Sequence, residues 1–469
     1  MKKIIMNIKN WIKKLFNKNK NNNVEVLNYE ELIKALKQDK EIVLQQDIQC
    51  AEPIEITKNT VVDCNGHEIY CQQDRQGFAY DATSYLSPFY TALSRVEHED
   101  GTEVKQTEKG KGIFRVKIHD NIENPSDLKK LYDYINISCG WTAYTFPIVK
   151  AENDYIYFKS YGTDYCVDFD WYQGNSHKFT QCRLICCSKE QFAKYLFDVN
   201  ESHLTIKNGI IHGGIKANKS WITLSNSTLR DCTEYGIYAT DSNVNVNDTI
   251  FRYTWKSAIK CIKGGLRVCT CAFIEVNQGR QNTGAIDTDG ECYIYDNHFI
   301  DFGSFGIRAG KVKALTAEEC PTSYIGHNEF ETKDNQGVVT DTGCIYLAAN
   351  NKSAKIEHNT IRGYQGRKNN HAIYCDDGAY NFILNNNKII NCPTGYAISS
   401  RCADPSKTPR GYAGGTPNTN RLIKNNYCES GVWFGGNADV EDNNCIYENN
   451  VVHENTDYKS IISGVKIIN

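Results

Sequence analysis

The feature that most constrains this 469-residue chain is an internal repeat. From residue 203 the pattern apolar-x-apolar-x-polar-x-apolar recurs as HLTIKNGII, WITLSNSTL, VNVNDTIF, CYIYDNHF, SYIGHNEF, AKIEHNTI, NFILNNNKI, RLIKNNYC and NCIYENNVV. Alternation sends successive side chains to opposite faces of a strand, so each copy reads as a half-buried strand segment with a polar turn in it. One copy cannot close a core alone and must stack on its neighbours, so chain length here measures a solenoid and does not count domains. Aligned on the polar turn, the series runs Asn208, Ser227, Asp248, Cys271, Asn297, Asn328, Asn359, Asn387, Asn426 and Asn449. Asn suits that place because it tolerates a left-handed backbone and its amide can bond to its equivalent in the next coil.

A second strand series runs in the same order through Ile237, Ile259, Ile286, Ile307, Ile345, Ile373, Ile398 and Val432. If these face the core, the next residue along faces out, giving a file of Tyr238, Lys260, Asp287, Arg308, Tyr346, Tyr374, Ser399 and Trp433. A second outward file follows two positions later and contains Asp289, Asp376 and Arg401. The residues between the files, such as Ala239, Cys261, Ala309, Leu347 and Cys375, are small or apolar, as an inward file requires. The fold class predicted is all-β: a single-stranded right-handed parallel β-helix of about ten or more rungs, with an N-terminal cap helix and an inserted β-rich subdomain.

The rest of the chain fits around that body. Residues 1–23 form a basic leader in which Ile4, Ile8, Trp11, Ile12 and Leu15 recur at helical spacing between lysines. It lacks an uninterrupted apolar core, so it is no usual signal peptide, and residues 1–20 suit an anionic membrane surface or a partner protein. Residues 24–72 hold a short helix opened by Asn28 and Glu31, with Leu32, Ile33 and Leu36 on one face, then the strands of a cap and first rung. Residues 73–196 do not repeat; their Tyr-rich alternating runs, AYTFPIVK and DYIYFKSY among them, with a helix at PSDLKKLYDY capped by Ser126, read as an inserted β-rich subdomain. The β-helix body is residues 197–469. Long loops between Ile307 and Ile345 and between Ile398 and Val432 are expected to wall one side of it.

Charge narrows the partners. With 53 Lys and Arg against 56 Asp and Glu, the net charge of -3 drives no binding to nucleic acid. The 20 Cys are scattered singly and lack paired CxxC knuckles, so they read as small buried residues of a chain made in a reducing cytoplasm. A calcium site needs a denser set of oxygen ligands, and no metal or cofactor is assigned.

The outward files carry the chemistry. Stacked rungs bring acids, cations and aromatics together, a composition suited to a polysaccharide or other glycan. Tyr346, Tyr374 and Trp433 would stack on sugar rings, and Arg308 and Arg401 would hold hydroxyls or carboxylates. Glycoside hydrolysis needs two carboxylates about 5 to 9 Å apart, and Asp287 or Asp289 with Asp376 are the candidates. Asp377 either joins them or only shapes its turn with Gly378. The rival chemistry, a polysaccharide lyase acting on uronates, would use Lys260 and Arg308. His371, with inward parity, reads as a core or rim histidine ahead of a catalyst. A non-catalytic alternative is a glycan-binding adhesin or structural protein of a phage tail, virion or surface assembly, whose homo-oligomer interface covers the same face.

The rungs GIYATD, GAIDTDG and HAIYCDDGAYN followed by NNNKIINC resemble the pectate-lyase-like right-handed β-helix superfamily over about residues 40–72 and 197–460. The resemblance implies the fold and, through the Asp-Asp-Gly rung, polysaccharide cleavage with Asp376 or Asp377 in the groove. The polygalacturonase set (Asn-Thr-Asp, Gly-His-Gly, Arg-Ile-Lys) and the Tyr-Gly-Phe-Asp-Pro-His of mannuronan epimerases are missing, so neither activity carries over. The abundant thiols and unusual leader fit a phage tail spike or fibre better than an ordinary exported enzyme.

Overall fold

The computed structural model describes residues 23–73 (except 39), 85–86, 91–102, 111–118, 129, 132–139, 142–161, 180–186, 191–279, 282–310, 321–332, 342–347, 352–364, 371–376, 379, 381–392, 396–400, 421–429, 432–434, 445–453 and 465–468. Residues 1–22 of the leader, most of the helix expected at PSDLKKLYDY and the long loops after Gly310 and Ser400 lie outside them; the last residue of PSDLKKLYDY, Tyr134, opens the strand Tyr134–Cys139.

Each rung contributes three strands. One joins an eleven-stranded parallel sheet that begins at Ile54–Ile56, continues through Tyr195–Asn200 and Gly214–Asn218, and ends at Val432–Phe434. The other two belong to a larger, mainly parallel network and are joined by a sharp bend; in two rungs they merge, as Trp221–Cys232 and Asn243–Thr254. The first sequence repeat is this bent pair of strands. Its register is continuous: Phe251 stands beside Phe273, Phe273 beside Phe299, and Phe299 beside Phe330. The four rings stack at 5.0, 4.6 and 4.7 Å, within 9° of parallel, and all are fully buried. Burying each contributes roughly 1.5–3 kcal/mol.

The bend corrects the alignment of the polar series. Two neighbouring files run through it. Asn208, Asn226, Asp248, Thr270, Asp296, His327, His358, Asn386, Asn425 and Asn449 have φ between 44 and 59°. The residue after each turns inward, and from Asn297 these residues form a buried ladder of Asn328, Asn359, Asn387, Asn426 and Asn450. Each amide nitrogen donates to the next amide oxygen at 2.9–3.0 Å, and that oxygen also accepts the backbone N–H of the preceding ladder residue. Asn208, Asp248 and Asn449 therefore belong to the left-handed file and the other members of the sequence series to the ladder. Asn meets two separate needs at adjacent positions, so a one-residue slip is invisible to composition.

At the N-terminal end the helix Tyr29–Ala35 packs Leu32 and Ala35 into the core. The Asn28 side chain accepts from the Glu31 N–H at 2.9 Å, and the Glu31 carboxylate accepts from the Leu27 N–H at 2.8 Å, a reciprocal cap. A strand missing from the sequence reading, Asn23–Val26, precedes this helix and pairs with Glu41–Leu44. No helix among the described residues is long and apolar enough to cross a membrane.

The inserted segment leaves and returns through a short antiparallel pair, Gln72–Gln73 with Gln191–Phe192. Between them, Thr91–His98 pairs with Lys111–Ile118, which pairs with Tyr155–Tyr161, then Thr142–Glu152, Tyr134–Cys139 and Thr180–Cys186, which returns to Thr91–His98. The sheet is a closed antiparallel barrel around Phe114, Ile135, Phe146, Ile156 and Phe158. Closure removes the open edges that such a sheet would otherwise expose. Asn136 of the barrel, 1% exposed, donates to the Gly279 carbonyl of the β-helix at 3.3 Å. At Gly279 a Cβ would come within 2.7 Å of the Trp255 carbonyl, so a side chain there would disturb the rung beneath this contact.

Candidate functional site

The eleven-stranded sheet positions the candidate residues. Its register runs Ile237, Ile259, Ile286, Ile307, Ile345, Ile373, Ile398 and Val432, the predicted inward series throughout. The outward file therefore stacks as Tyr238, Lys260, Asp287, Arg308, Tyr346, Tyr374, Ser399 and Trp433. It also extends backward through Lys216 and Asp198 to Glu55. The runs IEI, LFDV and IKAN carried the same alternation, a signal too short to separate from the cap strands.

Lys260, Asp287 and Arg308 come together on consecutive rungs. The Lys260 Nζ donates to Asp287 Oδ2 at 2.8 Å, and Arg308 Nη1 stands 3.8 Å from the same oxygen. Asp287 is only 5% exposed. Arg308 is held by a 2.7 Å bond to the Asn282 carbonyl and lies 5.8 Å from the centre of the Tyr346 ring. Two cations around one nearly buried carboxylate leave this patch positive. Breaking one partner of such a pair is costly, because the remaining charge stays buried. Asp289 lies two residues along, partly exposed, and its Oδ1 accepts from the Lys263 N–H at 2.7 Å.

The C-terminal half of the file is built differently from the expectation. Tyr346 and Tyr374 are 7% and 3% exposed and form a small buried cluster with Phe305. Their rings meet edge-on at 5.3 Å, and the Tyr346 hydroxyl donates to Asp376 Oδ2 at 3.0 Å. These two rings offer no open face for a sugar, and Asp376, 5% exposed, is tied to the cluster. Outward parity set the direction of the side chains but could not show what covers them. His371 packs on Tyr374 at 4.1 Å, and burial pushes its imidazole down to about 3.

Register also separates the expected carboxylates. Asp287 and Asp289 belong to one rung and Asp376 to the third rung beyond it. At ~4.8 Å per rung their backbones stand roughly 14 Å apart, beyond the ~5–9.5 Å between glycosidase carboxylates. Asp287 lies in the strand Gly284–Thr288, and Asp289 lies two residues on, in the bend just past its end. Asp377 and Arg401 lie outside the described residues, as does the Trp433 side chain, whose backbone pairs with Ser399.

Sequence reasoning assigned no role to Tyr235 and left Tyr238 in the outward file without one. Both are partly exposed, with ring centres 5.0 Å apart, and Tyr238 stands on the rung before Lys260. Nor did it anticipate the barrel contact at Gly279, on the rung of Asp287. Of the twelve cysteines with a described state, eleven are buried; burial pushes Cys50, Cys64, Cys261, Cys271 and Cys392 up to about 12. They are packing residues rather than nucleophiles. Where the sequence reading assigned no metal, one group among the described residues, His298, Glu329 and Glu331, gathers ligand atoms within 4.8 Å. It lies on another face of the β-helix.

No family model and no curated protein matches this sequence. Among solved structures, one described as a glycoside hydrolase aligns over 87% of this chain and 89% of its own, with a TM-score of 0.50 and 9% identity. The Gp54 tailspike of Acinetobacter baumannii bacteriophage AP22, in complex with A. baumannii capsular saccharide, aligns over 94% of this chain and 76% of its own, with a TM-score of 0.22 and 10% identity. The PL6 family alginate lyase AlyGC aligns over 95% of this chain and 53% of its own, with a TM-score of 0.30 and 9% identity. At such identities likeness speaks for the fold. The chain has the right-handed parallel β-helix fold of the pectate-lyase-like proteins that its rungs resemble.

Proposed function

We propose that this protein binds a polysaccharide along the outward face of the eleven-stranded sheet and hydrolyses it beside Asp287. The observation that carries this reading is the Lys260–Asp287–Arg308 cluster, a nearly buried carboxylate between two cations at the rung where the inserted barrel docks. Most structural ion pairs are exposed; this one holds a carboxylate that is only 5% exposed. Asp287 is the ion-paired carboxylate suited to act as nucleophile or base, and Asp289, two residues along, is proposed as its partner carboxyl. Asp376, on the third rung beyond, is too far along the sheet to serve as that partner. Fold alone would support no activity, so the weight of the reading rests on these residues.

The test is an assay of the purified chain on polygalacturonate, alginate, hyaluronate, dextran and bacterial capsular polysaccharides, reading new reducing ends and unsaturated-uronate absorbance. Hydrolysis predicts reducing ends without unsaturated products, lost in D287N and D289N and retained in D376N. Unsaturated products, abolished in K260M or R308M, would replace hydrolysis with β-elimination. Binding without any cleavage would make the protein a glycan-binding adhesin.

A further inference from the structure

Two of the aromatic residues expected to stack on sugar, Tyr346 and Tyr374, are buried, while a different pair is partly exposed. Tyr235 lies in the turn leading into the eleven-stranded sheet, and Tyr238 is the first outward residue of the strand Ile237–Thr240. Their rings are tilted 41° to one another, with centres 5.0 Å apart, so the two form one adjoining aromatic patch. Both are partly exposed, in contrast to Tyr346 and Tyr374.

The pair is braced from behind. The Lys256 Nζ lies 5.2 Å from the Tyr235 ring centre and 3.2 Å from Glu234, whose other oxygen takes Lys194 at 2.8 Å. Burial, with Glu234 next, pushes the Tyr235 hydroxyl well above its ordinary range, so it remains a neutral phenol. A partly exposed ring with a cation against it costs little to order on binding, because it has two torsions and a fixed support. Tyr238 has Lys216 on the rung before it and Lys260 on the rung after it. It is therefore two rungs, roughly 10 Å, from Asp287, in the direction a chain lying along the file would run.

We propose that Tyr235 and Tyr238 form a sugar-stacking subsite on this face, holding a pyranose about two units along the chain from the one at Asp287. The inference rests on the proposed function and names its positioning residues. Pyranose rings present C–H groups to an aromatic face, and the amphipathic tyrosine supplies both that face and a polar tip. Cleavage at Asp287 then takes place on a chain registered by the two rings.

The experiment measures binding of the full chain to alginate, polygalacturonate, hyaluronate and dextran by calorimetry, for the native protein and for Y235A, Y238A, Y235F and Y238F. Unchanged thermal midpoints verify that each variant folds. The expected result is a loss of about tenfold in affinity for each Ala variant, the equivalent of ~1.4 kcal/mol, and retention within about twofold for each Phe variant. Saturation-transfer NMR should show sugar ring protons receiving magnetisation from aromatic protons in the native chain and losing it in Y238A. If the native chain binds a glycan and the Ala variants bind it equally well, the subsite is wrong and the proposed function stands. If the native chain binds none of the probes, both fall together.

Discussion

Replacing Asn359 with Ala should destabilise the β-helix by about 3–5 kcal/mol, and the structure says where that loss arises. The Asn359 side chain is fully buried. Its amide nitrogen donates to Asn387 Oδ1 and to the carbonyls of Ile325 and Glu357, and its oxygen accepts from the backbone and side-chain nitrogens of Asn328. Truncation removes all five bonds. The Asn387 oxygen keeps its bond from the Asn359 backbone N–H, and the Asn328 amide keeps the Ile294 carbonyl. The Asn328 backbone N–H, however, loses this acceptor inside the protein, at roughly 1–3 kcal/mol, and the remaining bonds add about 1 kcal/mol each where no substitute forms. Urea unfolding of the native chain and N359A measures the total, and amide hydrogen exchange at Asn328 measures the local part. The control is N386G in the adjacent left-handed file, at φ 52°, where glycine fits and the change should stay within ~0.5 kcal/mol. A loss below ~1 kcal/mol in N359A, or unchanged protection at Asn328, would refute the claim that the ladder carries stability.

Phe299 lies between two parallel rings and is fully buried, so F299A should cost about 3–5 kcal/mol in the same urea assay. His371 stays neutral in the fold because burial holds its imidazole at about 3, whereas the unfolded chain takes up a proton near its ordinary 6.5. Its contribution is therefore complete above about pH 6.5 and is lost as the pH falls toward about 3; unfolding midpoints measured across that window should show a flatter acid limb for H371Q. Under native conditions at pH 8, iodoacetamide followed by mass spectrometry should label Cys269 before Cys50, Cys64, Cys261, Cys271 or Cys392, which burial keeps protonated, with the difference abolished in urea.

The sequence by itself determined the architecture and most of its register. Strand alternation has a period of two, so Ile237 through Val432 could be assigned to one inward file and Lys260, Asp287 and Arg308 to consecutive outward positions without coordinates. Periodicity fails where two adjacent positions favour the same residue type, and so Asn208, Asp248 and Asn449 fell into the ladder series one place early. Only the tertiary structure decided how the candidate residues stand to one another. Rung count, and not likeness of residue type, separates Asp287 from Asp376; packing above the sheet, and not outward parity, buries Tyr346 and Tyr374 and leaves Tyr235 and Tyr238 partly exposed. Closure of the inserted barrel and its bond from Asn136 to Gly279 join residues remote in the chain. Local pattern fixes the direction of a side chain, but exposure and distance are set by whatever else the fold brings to the same place.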